Sequence, residues 1–514
     1  MLDQSKVPLL ESLQASAHRT HAAFYAPGHK RGQGIARELA AWWGLSVFQA
    51  DLPELPELDN LFAPSGAIAL AQKLAAEAFG AAESWFLANG STAGIIASIL
   101  TATGPGDKII LPRNIHSSAI SGLILSGAMP IFIYPEYDDN WDLYYGMAPE
   151  AVAAALEKHP DAKAVMMVYP TYHGICGDVA AIARIAHQHR IPLLIDEAHG
   201  PHFAFHPELP SPALALGADL TVQSIHKVLG AMTQASMLHI SSNQINSLWQ
   251  LDRDRLARSL QIVQSTSPNY LLLASLDAAR RQMALQGREL MTRTLNLADR
   301  ARAQIEKIPG LSVLQPVGSA APQKTSSGFC ALDRTRLTVK VSSLGLTGYE
   351  ADEILHQELG VTAELPSLTH LTFIISLGNA PADIDRLVQA FTTLAGDYRR
   401  SSLPEQINLV STKKSALLES PISPPLSPRE AFFAPVETLP IEQIEQTAYR
   451  SGHVSAELVC PYPPGIPVLM PGEVITEGAL DLLKQTLALG GVITGCSDPD
   501  LKTLKVISSD RARS

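Results

Sequence analysis

Short apolar runs recur between residues 84 and 240, with Ala/Leu-rich helical patterns between several of them. The runs are nearly continuous rather than alternating, which is typical of parallel strands covered on both faces. The pattern predicts an α/β fold with a mainly parallel central sheet. The predicted strands are Trp85–Ala88, Lys108–Leu111, Pro130–Tyr134, Ala164–Tyr169, Pro192–Asp196, Leu220–Ser224 and Ser236–Ile240, and the predicted helices include Ala93–Thr103, Pro149–Lys158 and Ala180–His189.

A second set of apolar runs follows a helical stretch at Tyr270–Lys307 and predicts a smaller α+β domain. Ser and Pro then accumulate in Ser401–Arg429, which is typical of an irregular connection. The remainder has few apolar residues for a large core, so we expect it to dock on the rest. The predicted division is an N-terminal arm (1–60), a large domain (61–290), a small α+β domain (291–400), a connection (401–430) and a C-terminal domain (431–514).

The charge and composition exclude several classes of protein. The chain has 514 residues, of which 46% are hydrophobic and 17% charged, as in a globular protein. Its net charge of −11 argues against a nucleic-acid or anionic-membrane partner and is compatible with a cationic substrate. The four cysteines are widely spaced, so neither a metal site nor a disulfide framework is indicated. The N-terminus carries charges and no long apolar core, so we expect a cytoplasmic protein.

Lys227 lies at or just past the end of the predicted strand Leu220–Ser224. An amine close to an apolar sheet has its cationic form disfavoured by desolvation, and a neutral amine can form a Schiff base with an aldehyde. Ser224 and His226 offer donors suited to a phosphate, and Gly230 lets backbone approach closely. The segment therefore predicts the attachment of pyridoxal 5′-phosphate (PLP), against the alternative that the lysine merely caps a strand end.

Two further strand ends carry groups that such a cofactor needs. Gly90, Ser91 and Thr92 open a predicted helix, and a helix start with hydroxyl groups can bind a phosphate. Asp196 ends another predicted strand, where a carboxylate could keep the pyridine nitrogen protonated. Because ligands of such sheets lie beyond the carboxyl ends of the strands, these groups and Lys227 are expected to form one site. The alternative is a simple helix cap and a loop-capping aspartate.

The segment 224–236, Ser-x-His-Lys followed by small residues and Gln-small-small, resembles the PLP-attachment motif of the Orn/Lys/Arg decarboxylase family (group III PLP-dependent decarboxylases). Pro27–Lys30, Leu58–Leu61 and the C-terminal Pro461–Pro467 also resemble segments of that family. The resemblance implies the aspartate aminotransferase-like fold of PLP enzymes (fold type I). Since these matches begin at Pro27, the layout is closest to the short form of the family, that of biosynthetic arginine decarboxylases.

The resemblance also implies roles for individual residues. Lys227 would hold PLP, Asp196 would pair with the ring nitrogen, and Ala198 would lie against one face of the ring. His199 would lie near the phenolic oxygen or the substrate carboxylate. His116 would stack on the other face of the ring.

Two positions extend or limit these implied roles. The family commonly has a lysine after the stacking histidine, whereas this chain has Ser117, so nothing is inferred for that position. Glu457 precedes the C-terminal signature and is a candidate to bind the basic tail of the substrate, against the alternative of an ordinary surface glutamate.

The implied reaction is decarboxylation of a basic amino acid, first arginine to agmatine and CO₂ for polyamine biosynthesis, then lysine or ornithine. Alternatives are another activity of the same fold, such as an aminotransferase or a lyase, and a non-catalytic PLP-binding regulatory protein. Either His226 or Lys227 could donate the proton that replaces CO₂. The family builds its sites at a dimer interface, so we expect at least a homodimer.

Overall fold

The computed structural model describes residues 2–242, 250–318, 326–398, 424–462 and 465–508. It divides into two compact units: unit 1 comprises Met1–Thr101 and Pro192–Thr292, and unit 2 comprises Ala102–Ile191 and Arg293–Ser514. Most of the predicted connection, 401–430, lies outside the described residues. The other domain boundaries remain predictions. In the described part of the chain, no helix combines the length and the apolar character that crossing a membrane requires.

The strands of the described residues, in chain order, are β1 (Glu83–Leu87), β2 (Lys108–Pro112), β3 (Met129–Ile133), β4 (Tyr137–Asp138), β5 (Leu143–Tyr144), β6 (Ala164–Val168), β7 (Ile175–Cys176), β8 (Leu193–Asp196), β9 (Leu220–Gln223), β10 (Ser236–Ile240), β11 (Ser312–Val313), β12 (Ala331–Leu332), β13 (Arg336–Lys340), β14 (Leu365–Pro366), β15 (His370–Ile374), β16 (Val436–Pro440), β17 (Cys460–Tyr462), β18 (Val492–Thr494) and β19 (Thr503–Ile507).

The α-helices of the described residues are α1 (Pro8–His18), α2 (Arg37–Trp43), α3 (Leu45–Ala50), α4 (Ala67–Phe79), α5 (Gly90–Ala102), α6 (Ser117–Ser126), α7 (Pro149–Lys158), α8 (Val179–Gln188), α9 (Ile225–Val228), α10 (Arg253–Val263), α11 (Tyr270–Ile305), α12 (Gly348–Gln357), α13 (Pro381–Tyr398), α14 (Pro428–Phe433), α15 (Ile441–Ser451) and α16 (Glu477–Ala488). Short 3₁₀ turns lie at Pro56–Leu58, Phe203–Phe205, Ala213–Leu216 and Ser342–Leu344.

Unit 1 contains four neighbouring strands in the order β1, β10, β9, β8. Strands β8 and β9 run parallel, whereas β10 runs antiparallel to both β9 and β1. Every residue of β8, β9 and β10 is buried, as their continuous apolar character predicts. The carboxyl ends of β1, β8 and β9 therefore lie at the same edge, and these are the ends that carry the predicted cofactor groups.

Helix α5 packs closely against this sheet through a glycine. A Cβ atom built on Gly94 would lie 2.6 Å from Val222 Cγ1 and 2.7 Å from Leu87 Cδ1. Only a residue without a side chain allows the helix to approach β1 and β9 this closely. The start of α5, with its turn at Gly90, is thus fixed beside the two strand ends.

Unit 2 contains three strands, β6, β2 and β3, that are neighbours in this order. Strand β2 pairs in parallel with both β3 and β6, and helices α6, α7 and α8 connect or follow these strands. The predicted strands and helices of residues 84–240 are all present, with small shifts at their ends. Strands β6, β2 and β3 of unit 2 are parallel, as predicted. In unit 1, the antiparallel strand β10 makes the sheet mixed.

The described residues of unit 2 also form several smaller sheets, one of which has four strands. Strands β11, β13, β15 and β14 form an antiparallel sheet that shares one core with α11, α12 and α13. Further along the chain, β16 pairs with β19 and β17 with β18. This last segment buries more apolar residues than predicted. Its β-strands and α16 share a hydrophobic cluster of their own. That cluster comprises Ile441, Ile444, Val459, Leu469, Ile475, Ala479, Leu480, Leu483, Ile493, Leu501, Leu504 and Val506.

The carboxylate of Asp59 accepts hydrogen bonds from backbone N–H groups of the segment that leads into α4. Its Oδ1 accepts the N–H groups of Asn60 and Ser65 at 2.9 Å, and its Oδ2 accepts that of Gly66 at 2.7 Å. Oδ2 also lies within hydrogen-bond distance of the N–H groups of Ile68 and Ala69 in the first turn of α4. Burial raises the pKa of this carboxyl, but the backbone hydrogen bonds outweigh burial, and the net pKa lies below the ordinary value. The Leu58–Leu61 motif therefore has a structural role.

We expect Asp59→Asn to lower the free energy of unfolding by about 2 kcal/mol at pH 7, because the amide loses the charge that accepts these N–H groups. A carboxyl with a lowered pKa stabilises the fold above its unfolded pKa of 3.8, and this contribution is lost as the pH falls through the folded pKa. The difference from wild type should therefore shrink below about pH 4. Urea unfolding at pH 7 and below about pH 4 measures the difference in the free energy of unfolding between Asp59→Asn and wild type. Asp254→Asn, an exposed charge change on α10, is the control, and an equal loss at both pH values would contradict the assignment.

Candidate active site

The amine of Lys227 lies within hydrogen-bond distance of an imidazole in unit 1. Its Nζ is 3.0 Å from Nε2 of His199. Lys227 lies in α9, shortly after β9, and His199 follows β8, the parallel neighbour of β9. The fold thus brings together two predicted site residues that are far apart in sequence.

The predicted phosphate-binding turn meets the lysine segment. Helix α5 begins at Gly90, whose φ of +76° lies in the left-handed region that glycine adopts without strain. The Oγ of Ser224 donates to the Oγ of Ser91 at 2.8 Å. Ser224 is buried and Thr92 is exposed. The two serine hydroxyls and the first N–H groups of α5 form a donor set suited to a phosphate.

Two glutamines hold the end of β1, and neither was assigned a role from sequence. Gln234, in the lysine motif, has a φ of +84°, and its Nε2 donates to the carbonyl of Ala88 at 2.7 Å. The N–H of Ala88 donates to Oε1 of Gln264 at 2.8 Å. Both backbone polar groups of Ala88 are therefore held beside the Asn89–Gly90 turn. The motif signals the first glutamine, whereas no pattern in the sequence points to the second.

Asp196 is the last residue of β8 and is 6% exposed. Its Oδ1 accepts the N–H of Ala198 at 3.2 Å. This bond closes a tight turn after the strand, and the turn places Ala198 and the buried His199 directly beyond the strand end. The three predicted residues therefore belong to one local structure.

A buried chain of hydrogen bonds starts at Glu197, the residue that follows β8. Its Oε1 accepts the N–H of Ala213 at 2.8 Å, and its Oε2 accepts Nε2–H of Gln223 at 2.9 Å. The Oε1 of Gln223 lies 3.2 Å from Nε2 of His239, whose Nδ1 lies 2.6 Å from Oγ of Ser84. The chain thus connects the end of β8 with β9, β10 and β1.

The protonation of this chain follows from its partners. Because an amide oxygen only accepts, Nε2 of His239 carries the proton, and Nδ1 accepts from the hydroxyl of Ser84. Burial lowers the pKa of His239 to about 3, which agrees with a neutral ring. Burial raises the pKa of Glu197 to about 8, although the hydrogen bonds from Ala213 and Gln223 oppose this rise. A buried carboxyl beside Asp196 therefore gains or loses its proton near neutral pH.

His226, next to the lysine, is held in one tautomer. Its Nδ1 lies 3.1 Å from the carbonyl oxygen of Ala235, and a carbonyl oxygen only accepts, so Nδ1 carries the proton. Burial lowers the pKa of His226, and the charge of Lys227 lowers it further, against the hydrogen bond to Ala235. The neutral ring therefore donates through Nδ1 alone.

His116 lies in unit 2, where it caps α6. Its Nδ1 accepts the N–H of Ser118 at 3.1 Å, and Ser117 is the first residue of the helix. The ring is half-buried, and a Cβ atom built on Gly465 would lie 3.8 Å from its Nε2. Its predicted stacking on the cofactor remains a prediction, to which the structure adds a capping role.

Glu457 is 8% exposed and uses both carboxylate oxygens within the C-terminal segment of unit 2. Its Oε1 accepts the N–H of Ser497 at 2.7 Å, and its Oε2 accepts the N–H of Lys505 at 2.8 Å. These bonds join segments of the chain that are distant in sequence. The predicted contact with substrate remains a prediction, and any such contact would use the second lone pair of an oxygen that is already engaged.

The chain matches the family model described as Orn/Lys/Arg decarboxylase, major domain, over residues 7–383. It also matches the model of the C-terminal domain of the same family over residues 411–493. The chain belongs to the Orn/Lys/Arg decarboxylase family. This membership confirms both the predicted family and the predicted enzyme class, a decarboxylase.

Full-length relatives of this decarboxylase are known. The arginine decarboxylase of Bacillus subtilis (strain 168) is 37% identical over 511 residues, which cover 99% of this chain and 100% of the relative. That of Halalkalibacterium halodurans is 37% identical over 514 residues and covers 100% of both. The crystal structure of a Francisella novicida lysine decarboxylase has a TM-score of 0.80 and 23% identity, covering 98% of this chain and 81% of that chain. This likeness confirms the predicted fold class.

We expect the pH dependence of stability to reveal the proton on Glu197. Between the ordinary pKa of 4.5 and about 8, the folded chain keeps a proton that the unfolded chain has released, so stability falls as the pH rises. Glu197→Gln removes this titration. The wild type should therefore lose stability relative to the variant, by up to about 1.4 kcal/mol per pH unit within that window.

Urea unfolding followed by circular dichroism at several pH values between about 5 and 9 measures this difference. The new amide fits if the hydrogen bonds through Gln223 and His239 reverse direction, with the imidazole in its other tautomer. Glu11→Gln, an exposed glutamate on α1, is the matched control. A constant difference between wild type and Glu197→Gln at all pH values would show that the carboxyl is ionised throughout.

Proposed function

We propose that this protein is a PLP-dependent arginine decarboxylase that converts L-arginine to agmatine and CO₂ and supplies an amine for polyamine synthesis. Two full-length relatives at 37% identity carry this activity as their name, which supports arginine ahead of lysine and ornithine. The observation that carries the chemistry is the 3.0 Å approach of Lys227 Nζ to His199 Nε2, beside the Ser91–Ser224 hydroxyl pair.

The residues of unit 1 fit PLP. Ser91, Ser224 and the start of α5 would hold the phosphate, and a side chain at Gly90 would be strained by its φ of +76°. The buried carboxylate of Asp196 would hold the ring nitrogen in its protonated form. Lys227 would hold the cofactor through its amine. When bound, PLP supplies a ring that accepts the electrons left on the α-carbon as CO₂ departs.

Lys227 is the better candidate for the proton donor to the α-carbon. Neutral His226 has its one N–H directed at the carbonyl of Ala235, so it holds no other proton to give. The amine of Lys227 carries exchangeable protons, and Nε2 of His199 lies close enough to exchange a proton with it. We therefore assign donation to Lys227 and the orientation of its amine to His199.

A substrate panel tests the proposal. The purified protein is supplied with PLP and with L-arginine, L-lysine or L-ornithine in turn, and CO₂ and the amine product are measured. We expect the largest kcat/KM for arginine. A larger value for lysine or ornithine would overturn the substrate, and PLP absorbance without CO₂ from any of the three would overturn the decarboxylase.

Variants of the same assay test the lysine. We expect Lys227→Ala to reduce CO₂ release to the level of a blank without enzyme, because the amine that holds the cofactor and donates the proton is absent. Lys73→Ala, an exposed lysine on α4, is the matched control and should keep wild-type activity. Wild-type turnover by Lys227→Ala would show that the assignment is wrong.

We also propose that the enzyme is at least a homodimer. Large apolar side chains of the N-terminal segment are exposed in the single chain: Phe24 is 95% exposed, Trp42 82% and Trp43 53%. Patches of this kind in a globular protein mark surfaces that a partner covers. Sedimentation velocity should show a dimer that Trp42→Ser with Trp43→Ser weakens. The control Leu285→Ser, at a leucine of α11 that is 50% exposed, should leave the dimer unchanged. A monomeric wild type would contradict the proposal.

The cytoplasm remains the proposed compartment, with a small basic amino acid as the ligand and neither nucleic acid nor membrane as a partner. All four cysteines lie in the described part of the chain, and none of them forms a disulfide there. This agrees with a reducing environment. The net charge of −11 is consistent with a cationic substrate.

A further inference from the structure

A cavity of 230 Å³ lies wholly within unit 2, and no role described above uses it. Pockets for drug-sized ligands measure roughly 300–1,000 Å³, so this cavity suits a molecule of about amino-acid size. Its walls come from the segments after β2 and β6, from the β4–β5 hairpin, from the small antiparallel sheet and from α16. Its lining combines aromatic, polar and aliphatic side chains.

Four tyrosines line the cavity: Tyr134, Tyr144, Tyr172 and Tyr349. Burial raises the pKa of Tyr144 and of Tyr349 to about 12, so both hydroxyls keep their protons at neutral pH. The charge of Arg113 lowers the pKa of Tyr144, whereas the charge of Asp142 raises the pKa values of Tyr144 and Tyr349. The lining thus contains uncharged tyrosine rings together with the carboxylate of Asp142.

Asp142 is 5% exposed and lines this cavity. The hydroxyl of Tyr137 donates to its Oδ1, and the rings of Tyr137 and Tyr144 lie 4.9 Å apart. A carboxylate that is shielded from water is stabilised by a cation, and aromatic faces attract cations as well. The carboxylate and the aromatic faces therefore both favour a cationic ligand.

Arg113 also lines the cavity, but its charge is matched within the protein. Its Nε and Nη2 donate to the two carboxylate oxygens of Glu473 at 3.1 and 2.9 Å. Its Nη1 donates to the carbonyl of Pro467 at 2.6 Å, and Nη2 donates to that of Val468 at 2.9 Å. The arginine therefore holds the C-terminal segment in place, and its bidentate ion pair disfavours an anionic guest at this wall.

The cavity is also lined by aliphatic side chains that would contact a methylene chain. These are Leu365, Leu368, Val468, Leu469, Leu482 and Leu489.

We propose that this cavity binds a small aliphatic cation, a guanidine or an amine with a short methylene chain. The cationic group of the ligand lies beside Asp142 and the tyrosine rings, and its methylene chain contacts the aliphatic side chains of the lining. The preference for a cation follows from the cavity itself, whereas the choice of a guanidine as the probe rests on the proposed function. Agmatine, the proposed product, belongs to this chemical class, so the cavity is a candidate site for response to the amine.

Isothermal titration calorimetry of the PLP-loaded enzyme with n-butylguanidine tests the proposal. This probe lacks a primary amine and so does not compete for the cofactor aldehyde. We expect saturable binding with one site per chain, and weaker or undetectable binding of butyrate and n-butanol. Asp142→Asn should weaken n-butylguanidine binding by about tenfold or more, and Asp139→Asn, an exposed aspartate of the same hairpin, should leave it unchanged.

Tyr349→Leu provides a second variant, because it removes one aromatic face without changing any charge. We expect it to weaken binding as well, and circular dichroism checks that both variants are folded. Wild-type affinity in both folded variants, or tighter binding of butyrate than of n-butylguanidine, would overturn the cation site.

The same titration with Lys227→Ala separates the two proposals. Binding that persists in this variant and depends on Asp142 supports the cavity even if arginine is not decarboxylated. Release of CO₂ from arginine by a wild type that does not bind n-butylguanidine would leave the proposed function intact and reject the cavity.

Discussion

The chain of buried hydrogen bonds that starts at Glu197 is the constraint on which the arrangement of unit 1 depends. It joins side chains at or beside four strands, and it ends at Ser84 in β1. A buried hydrogen bond contributes about 1 kcal/mol net, whereas an unpaired buried polar group costs about 1–3 kcal/mol. The chain therefore favours one register of the strands, and that register sets the relative positions of Asp196 and Ser224.

Two histidines beside Lys227 differ in what their surroundings allow. His226 is kept neutral by burial and directs its one N–H to a backbone carbonyl. His199 directs Nε2 at the lysine amine itself. His226, the sequence neighbour of Lys227, therefore donates to the backbone. His199, which interacts with the amine of Lys227, follows another strand, β8. Sequence proximity alone would have favoured His226.

The sequence predicts the strands and the lysine segment because both depend on local patterns: continuous apolar runs and a compact motif. The ends of β1 and the pairs around Glu197 depend instead on side chains that are distant in sequence, such as Gln264 with Ala88. Polar residues of this kind have no periodicity that marks them. The same reason explains why the pattern predicts neither the backbone contacts of Glu457 nor the separate C-terminal core, since both join segments of 436–507 that are distant in sequence.

The ion pair between Arg113 and Glu473 links the C-terminal segment to the loop that carries His116. The arginine follows β2, and its guanidinium also binds two carbonyls of the segment that precedes the glutamate. Although the C-terminal segment has a hydrophobic core of its own, it is therefore not an independent appendage. During evolution, a deletion or exchange of this segment would also have altered the support of the His116 loop, so the two regions are expected to change together.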